Sequence, residues 1–192
     1  DVSAFPYTVV NVKAGEIQVV LNNGINFYGI RYDATEGSAA EKVDKVWDFS
    51  APEWVDAMTG SGIAANTNDS NWNLEVNGLK VVSGGGSIKW NFSGETYYWQ
   101  PGGKSDGTTR YFEFTTDVAG TVTVYSSNTG GSEDLTRMVT VKVGDAEPES
   151  LPGGTPSGDA PTKNDFSVSA GTVKIYPTGN GLRFYKIEFH SL

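Results

Sequence analysis

Apolar residues alternate with polar ones along most of the chain after residue 45. Ile88, Trp90 and Phe92 occupy alternate positions of one apolar segment, and a period of two is typical of strands with one buried face. The same alternation recurs in segments 79–82, 110–115, 121–125 and 137–143. Loops rich in Gly and Pro, at 101–109 and 150–161, separate the strands. The pattern predicts about eight short antiparallel strands in an all-β, two-sheet β-sandwich of jelly-roll-like form.

One segment departs from this alternation. Residues 51–59, APEWVDAMT, place Pro52 and acidic residues near the start of a short run, where a helix N-terminus favours them. Gly60 and Gly62 follow and would end it. We therefore expect at most one short helix, near residues 51–59.

The chain contains an internal repeat. Residues 14–33, AGEIQVVLNNGINFYGIRYD, match residues 170–190, AGTVKIYPTGNGLRFYKIEFH, in their Ala-Gly start, their apolar spacing and their Phe-Tyr pair. Each copy reads as a strand, a turn rich in Gly and Asn, and a second strand, which is typical of a β-hairpin. The two copies are expected to be related hairpins.

The repeat suggests a division into domains. Because the second copy closes the chain, residues 1–33 are expected to be the closing hairpin of a preceding module, or else a strand pair added to the same sandwich. Residues 34–45 are polar and indicate a linker, and residues 46–192 are expected to form the β-sandwich domain.

Composition and charge exclude several classes of function. The formal net charge of -9 would repel a phosphate backbone, so nucleic acid is not an expected partner. The chain has no Cys, its one His is His190, and several-His zinc sites and thiolate sites are thereby excluded. A lone His near the C-terminus is expected to be a solvated tail residue rather than a catalytic base. No apolar stretch is long enough to predict a membrane span.

Several short motifs follow one another between about residues 46 and 189: WDFS, NGLKVV, TTRYFEF, AGTVTVYSSNT, TRMVTVKVG and FYKIEF. Their order resembles the accessory β-sandwich domains attached to pectate lyases and related polysaccharide-degrading or cell-surface proteins of Bacteroidetes. The resemblance implies a jelly-roll-like fold and a carbohydrate-binding role. It carries no set of ligand residues.

A carbohydrate site needs aromatic platforms and planar hydrogen-bonding groups, because sugars present apolar C–H faces and a rim of hydroxyls. The densest aromatic run contains Tyr97, Tyr98 and Trp99, and in a strand Tyr98 would face the side opposite the other two. Either side could face a ligand, or all three could pack on the rim of the sandwich. Trp72 lies in a polar stretch and is the Trp expected to be exposed, with a loop cap over the core as the alternative. The remaining Trp residues are expected in the core: Trp47, Trp54 and Trp90.

Two arginines are further candidates for the site. Arg110 and Arg137 each lie an even number of residues before the apolar residues of the strand that follows. Each would therefore start its strand with the side chain on the inward face. A buried guanidinium without a partner is costly, so we expect each at an end of the sandwich with a partner. That partner could be a uronate carboxylate of a ligand or a structural Asp.

The acidic residues do not single out a catalytic pair. Most lie in loops among Gly, Ser and Asn, so the chain is expected not to be an enzyme and to require no cofactor. Loop carboxylates do suit a structural Ca²⁺ ion. The candidates for it are Asp69, Asp106, Asp134 and Asp145.

These observations favour a non-catalytic carbohydrate-binding module of a secreted polysaccharide-degrading protein. Its expected ligand is a plant cell-wall polysaccharide, pectin or hemicellulose, and its expected partner is a covalently linked catalytic domain. A structural spacer or cell-surface interaction domain in a tandem array is the alternative, favoured by the repeat. A polysaccharide lyase or esterase, with Arg110 or Arg137 as the base, is the third. Burial of Trp72, Tyr97 and Trp99 without a concave aromatic patch would favour the spacer.

Overall fold

Two antiparallel β-sheets and one short helix make up residues 42–192, the part of the chain that the computed structural model describes. The helix, α1, spans Pro52–Gly60. The strands are β1 (Asp44–Asp48), β2 (Asn73–Val76), β3 (Leu79–Val82), β4 (Ile88–Ser93), β5 (Thr96–Pro101), β6 (Tyr111–Thr116), β7 (Gly120–Ser127), β8 (Met138–Val143), β9 (Glu149–Pro152), β10 (Thr162–Val168), β11 (Gly171–Thr178) and β12 (Arg183–Ser191).

Each sheet has six strands. The front sheet has the order β10-β7-β12-β5-β4, and β1 also pairs with β12. The back sheet has the order β2-β3-β6-β11-β8-β9. The hairpins β2–β3, β4–β5 and β8–β9 stay within one sheet, whereas each of the other connections in the described range passes from one sheet to the other. The expected all-β sandwich is confirmed, with a crossing pattern typical of jelly rolls.

Large aromatic side chains fill the space between the sheets. The expected core positions of Trp47, Trp54 and Trp90 are confirmed, since each is at most 5% exposed. The ring of Trp47 from the front sheet lies 4.9 Å from that of Phe114 in the back sheet. Burial of such rings is the main source of stability in a two-sheet fold.

Helix α1 is the short helix that the sequence predicts. Pro52 stands in its first turn, the backbone N–H of Ser61 caps its end, and Trp54 and Met58 are its buried residues. Trp54 meets Phe49 edge to face at 4.9 Å, which fixes the helix against one edge of the core. Within residues 42–192, no helix has the length and the apolar run that crossing a membrane requires.

The expected closing hairpin of residues 170–190 is wrong in one respect. Both strands form, but β11 pairs with β6 and β8 in the back sheet, whereas β12 pairs with β7, β5 and β1 in the front sheet. The turn between them carries the chain across the core, and Leu182 is fully buried there. Each strand therefore buries its apolar face against the other strand's sheet. The first copy, residues 14–33, lies outside the described residues.

The predicted domain boundaries stay predictions. The segment 1–33 and most of the linker 34–45 lie outside the described residues. The described sandwich begins at Asp44, with β1.

Candidate functional site

The outer face of the front sheet carries polar and aromatic side chains, because β12 turns its apolar residues inward. Phe184, Ile187 and Phe189 are fully buried. The pairing of β12 with β7 shifts register between Phe184 and Lys186. Such an irregularity re-aims side chains, and it lets the consecutive residues Tyr185 and Lys186 both line the same outer surface.

A cleft of about 500 Å³ lies on this outer face, and we call it the front cleft. The residues that line it come from β1, the β4–β5 hairpin, β7, the loop before β10, and β12. They are Asp48, Ser50, Ser93, Thr96, Tyr98, Tyr125, Gly158, Asp159, Pro161, Arg183, Tyr185 and Lys186. The sheet supplies a rigid floor, which is the kind of support that binding sites use.

Two tyrosines and one arginine pack together in the front cleft. The rings of Tyr98 and Tyr185 have centroids 5.5 Å apart. The guanidinium carbon of Arg183 lies 4.9 Å from the centre of the Tyr98 ring, within the range of a cation–π contact. The hydroxyls of Tyr185 and Ser127 are hydrogen-bonded at 2.8 Å, which anchors the Tyr185 ring in place.

A charged network lies beside these rings. Lys186 Nζ is 2.7 Å from Glu188 Oε1 and 4.2 Å from the centre of the Tyr125 ring. The Tyr125 hydroxyl donates to Glu188 Oε2 at 3.1 Å. Burial opposes ionisation of Glu188, but the hydrogen bonds from Lys186 and Tyr125 outweigh it and lower the pKa of the carboxyl. The hydrogen bond to Glu188 raises the pKa of Lys186, so both groups are charged near neutral pH.

The front cleft combines features that suit a saccharide. Tyr98 is 5% exposed and forms the floor beneath Arg183, whereas the partly exposed Tyr185 ring offers an apolar face to sugar C–H groups. The carboxylates, hydroxyls and guanidinium offer donors and acceptors at the rim. A cleft of this size holds a small ligand or a few residues of a polymer.

Of the aromatic run in β5, only Tyr98 lines the front cleft. Trp99 points the other way and is fully buried in the core. Tyr97 lies on the same side as Trp99, partly buried, and its ring packs at 5.2 Å against Phe92. The alternation predicted from the sequence is therefore present, with the Tyr98 side turned towards the cleft.

The expected exposure of Trp72 is wrong. Its side chain is 4% exposed, and its indole N–H donates to the carbonyl oxygen of Ile88 at 3.0 Å. The polar residues around it form a loop over the core that turns the indole inward. This is the loop-cap alternative, which local polarity alone does not reveal.

Arg110 departs from the expected strand register. Its φ of 54° is left-handed, and it stands just before β6, so strand parity does not govern its side chain. Its Nη2 donates to the carbonyl oxygen of Lys104 at 2.7 Å, and its Nε is buried without a hydrogen-bond partner in the described part of the chain. Arg110 does not line the front cleft.

Arg137 has the structural partner that the sequence left open. Its Nε donates to Asp134 Oδ2 at 2.7 Å and its Nη1 to the carbonyl oxygen of Gly181 at 2.8 Å. These bonds hold the loop before β8 to the turn before β12. Like Arg110, it lies away from the residues that line the front cleft.

Of the residues that line the front cleft, the sequence-based search named only Tyr98, and it missed the four whose side chains form the packed rings and the charged network. The sequence of β12 could have revealed some of them, because polar and aromatic residues alternate there with buried ones and so lie on the outer face of the sheet. The four residues are Tyr125, Arg183, Tyr185 and Lys186.

The proposed Ca²⁺ ligands lie in separate turns. Asp69, Asp106 and Asp134 each accept a hydrogen bond from the backbone N–H two residues further on. Among residues 42–192, no three His, Asp or Glu side chains form a group that could hold a metal ion. A structural Ca²⁺ therefore stays a prediction without a defined site.

His190 is not a tail residue. It lies in β12, and its Nδ1 is 2.9 Å from Asp44 Oδ1 of β1. Its side chain is 46% exposed, so it is solvated, as expected.

No protein-family model matches the chain, and no curated protein does. Among solved structures, the chain is similar to one from a study of glycan recognition in the Ruminococcus flavefaciens cellulosome, at 14% identity over 78% of this chain and 95% of that one, with a TM-score of 0.38. It is similar to BiXyn10A CBM1, at 12% identity over 79% and 100%, with a TM-score of 0.43. It is also similar to the CBM22-1 xylan-binding domain of Paenibacillus barcinonensis Xyn10C, at 14% identity over 67% and 97%, with a TM-score of 0.37.

Proposed function

We propose that this protein is a non-catalytic carbohydrate-binding module that holds a polysaccharide in the front cleft. The observation that carries the proposal is the floor of that cleft, where Tyr98 and Tyr185 pack beside Arg183 on the outer face of a rigid sheet. Aromatic rings with a polar rim match the two chemical surfaces of a sugar.

A binding role rather than catalysis is supported by the charged network beside the tyrosine rings. A glycosidase acid needs a raised pKa, whereas the hydrogen bonds to Glu188 lower its pKa. A lyase base must be able to lose its proton near neutral pH, whereas Lys186 has a raised pKa. Both groups are suited to holding charge in place rather than to transferring a proton.

The setting of the module is part of the same proposal. We place it outside the cell, joined to a catalytic domain that degrades polysaccharide, with pectin or hemicellulose of the plant cell wall as its ligand. The resemblance in sequence motifs supports this setting.

Affinity electrophoresis on gels containing pectin, xylan or mixed-linkage glucan tests the proposal. We expect retardation of the wild type on at least one polymer, and at least about a tenfold loss of affinity for Tyr185→Ala. Tyr97→Ala is the matched control, because Tyr97 is a partly buried tyrosine that does not line the cleft, and it should bind as the wild type does.

Folding is checked separately by thermal unfolding of both variants, and Tyr185→Leu, which removes the aromatic ring but keeps apolar bulk, serves if Tyr185→Ala does not fold. An unretarded wild type on every polymer would overturn the proposal and favour a spacer, the alternative that the repeated sequence of residues 14–33 and 170–190 supports. Equal losses in the two alanine variants would place the binding surface elsewhere.

A further inference from the structure

Arg183 is a charged group in the front cleft whose partner is aromatic rather than acidic. Its guanidinium carbon lies 4.9 Å from the centre of the Tyr98 ring. Its Nε is buried and has no hydrogen-bond partner in the described part of the chain. Among residues 42–192, no carboxylate lies within ion-pair distance of the guanidinium.

Arg137 shows how this fold treats a guanidinium that has a structural role. Its side chain is 17% exposed and bonds both to Asp134, at 2.7 Å, and to the carbonyl oxygen of Gly181. Arg183 begins the strand just after that turn, yet it has no comparable acceptor. A half-buried guanidinium without acceptors is costly, so its position in a cleft indicates a ligand that supplies them.

The other charges of the cleft do not neutralise Arg183. Lys186 is paired with Glu188 at 2.7 Å, and Asp48 is the strand neighbour of Lys186 in the pairing of β1 with β12. Asp48 accepts a hydrogen bond from the backbone N–H of Ser50, and neither it nor Asp159, the other carboxylate that lines the cleft, is within ion-pair distance of Arg183. Arg183 is left as a cation packed on the Tyr98 ring.

The chemistry of guanidinium defines the ligand group. Its planar fork of N–H donors matches a carboxylate, with which it forms two parallel hydrogen bonds. The Tyr98 ring packs against the guanidinium, whose carbon lies 4.9 Å from the ring centre. The net charge of -9 opposes an acidic polymer at long range, but charges beyond the Debye length of about 8 Å are screened at physiological salt. The direct contact then decides the preference.

We propose that the front cleft selects glycans that carry uronic acid, with the uronate carboxylate on Arg183 and a sugar face on the neighbouring Tyr185 ring. This inference rests on the proposed carbohydrate-binding function and adds a substrate class to it. Neutral glycans offer the guanidinium only hydroxyl and ring oxygens, which accept weaker, uncharged hydrogen bonds than a carboxylate does.

The test compares two pairs of polymers, and each pair has one carboxylated and one neutral member. The probes are polygalacturonate, the same polymer after reduction of its carboxyls to alcohols, glucuronate-bearing xylan and unsubstituted xylan. Affinity is measured by isothermal titration at physiological salt. We expect the wild type to bind the carboxylated member of at least one pair about tenfold more tightly than its neutral counterpart.

The variants assign that preference to one side chain. Arg183→Gln should bind the two members of that pair equally, and Arg183→Lys should keep part of the preference, because it retains the charge but not the planar fork. Lys80→Gln is the control: it removes one positive charge from an exposed position on β3 of the back sheet, and it should keep the full preference.

The outcomes separate the two proposals. Equal binding of carboxylated and neutral members by the wild type, or an unchanged preference in Arg183→Gln, overturns the uronate inference and leaves the carbohydrate-binding function standing. Failure of the wild type to bind any of these polymers or those of the electrophoresis overturns the function itself. If Arg183→Gln does not fold, the polymer pairs with the wild type and with Arg183→Lys still decide the question.

Discussion

The rings of Trp72 and Trp99 meet edge to face, with centroids 4.9 Å apart and planes at 89°. This contact joins the loop before β2 to strand β5 of the front sheet. It makes a Trp from a polar sequence stretch part of the hydrophobic core.

Trp72→Ala should therefore act on stability. We expect a loss of about 3–5 kcal/mol in the free energy of unfolding, because a large buried ring is replaced by a cavity. Urea unfolding followed by Trp fluorescence measures it. Leu135→Ala, at a position 59% exposed, should change stability by about 0.5 kcal/mol or less. A small loss for Trp72→Ala would mean that the loop does not pack as described.

Arg137→Gln should lower the stability of the protein without lowering its affinity for polysaccharide. Arg137→Gln removes the bonds to Asp134 and to the Gly181 carbonyl, and we expect a loss of about 1–3 kcal/mol in unfolding free energy. Its affinity for a polysaccharide should stay within about threefold of the wild type. Urea unfolding and affinity electrophoresis on the same sample give both values. A large loss of affinity in a well-folded Arg137→Gln would show that Arg137 contributes to binding and would contradict this prediction.

The Lys186–Glu188 pair should make stability depend on pH at both ends of the range. Glu188 has a folded-state pKa below its ordinary value of 4.5, so its contribution is present above that value and is lost as the pH falls through the folded-state pKa. Lys186 has a pKa above its ordinary 10.5, so its contribution is present below that value and is lost as the pH rises through the folded-state pKa.

Glu188→Gln tests the acid side. We expect its stability to fall less steeply than that of the wild type between about pH 5 and pH 3, as measured by urea unfolding at a series of pH values. Glu75→Gln is the control, because Glu75 is 56% exposed and 3.9 Å from Lys80, and it should keep the wild-type slope. Identical slopes for wild type and Glu188→Gln would contradict the pKa shift.

Gly179 should not tolerate a side chain. Its φ is +79°, and a Cβ there would collide with the carbonyl oxygen of Thr136. Gly179→Ala should cost more than about 2 kcal/mol, since the strain of a left-handed backbone adds to the collision. Gly62→Ala has a similar φ, +76°, with open space around it, and should cost about 1 kcal/mol. Thermal unfolding of both variants isolates the effect of the collision, and equal losses would count against it.

Local pattern was enough to predict the strands, the helix and much of the core. Alternation places Ile88 and Trp90 on one face of β4, and both are buried. The Pro52 start and the Gly60 end of α1 were also evident, because helix ends depend on residues within one turn. These features are local, so a short window of sequence contains the physical information that sets them.

The pairing of strands and the burial of some side chains could be found only from the tertiary structure. The pattern of residues 170–190 indicates two strands with apolar faces, but a hairpin and a crossing between sheets bury such faces equally well. Strands β11 and β12 join different sheets because their pairing partners, β6 and β8 for β11 and β7 and β5 for β12, lie in different sheets. The burial of Trp72 could not be predicted for the same reason, because its neighbours in sequence are polar whereas its neighbours in space are aromatic.

The sequence by itself determined an all-β sandwich with one short helix, a charge unsuited to nucleic acid, and the opposite faces of Tyr97 and Tyr98. The tertiary structure decided which of those faces lines the front cleft and which residues join it there. Tyr98 and Arg183 are far apart in the chain and meet because β5 and β12 are neighbours in the front sheet. Contacts of this kind depend on strand order, which long-range burial sets and which no local period encodes.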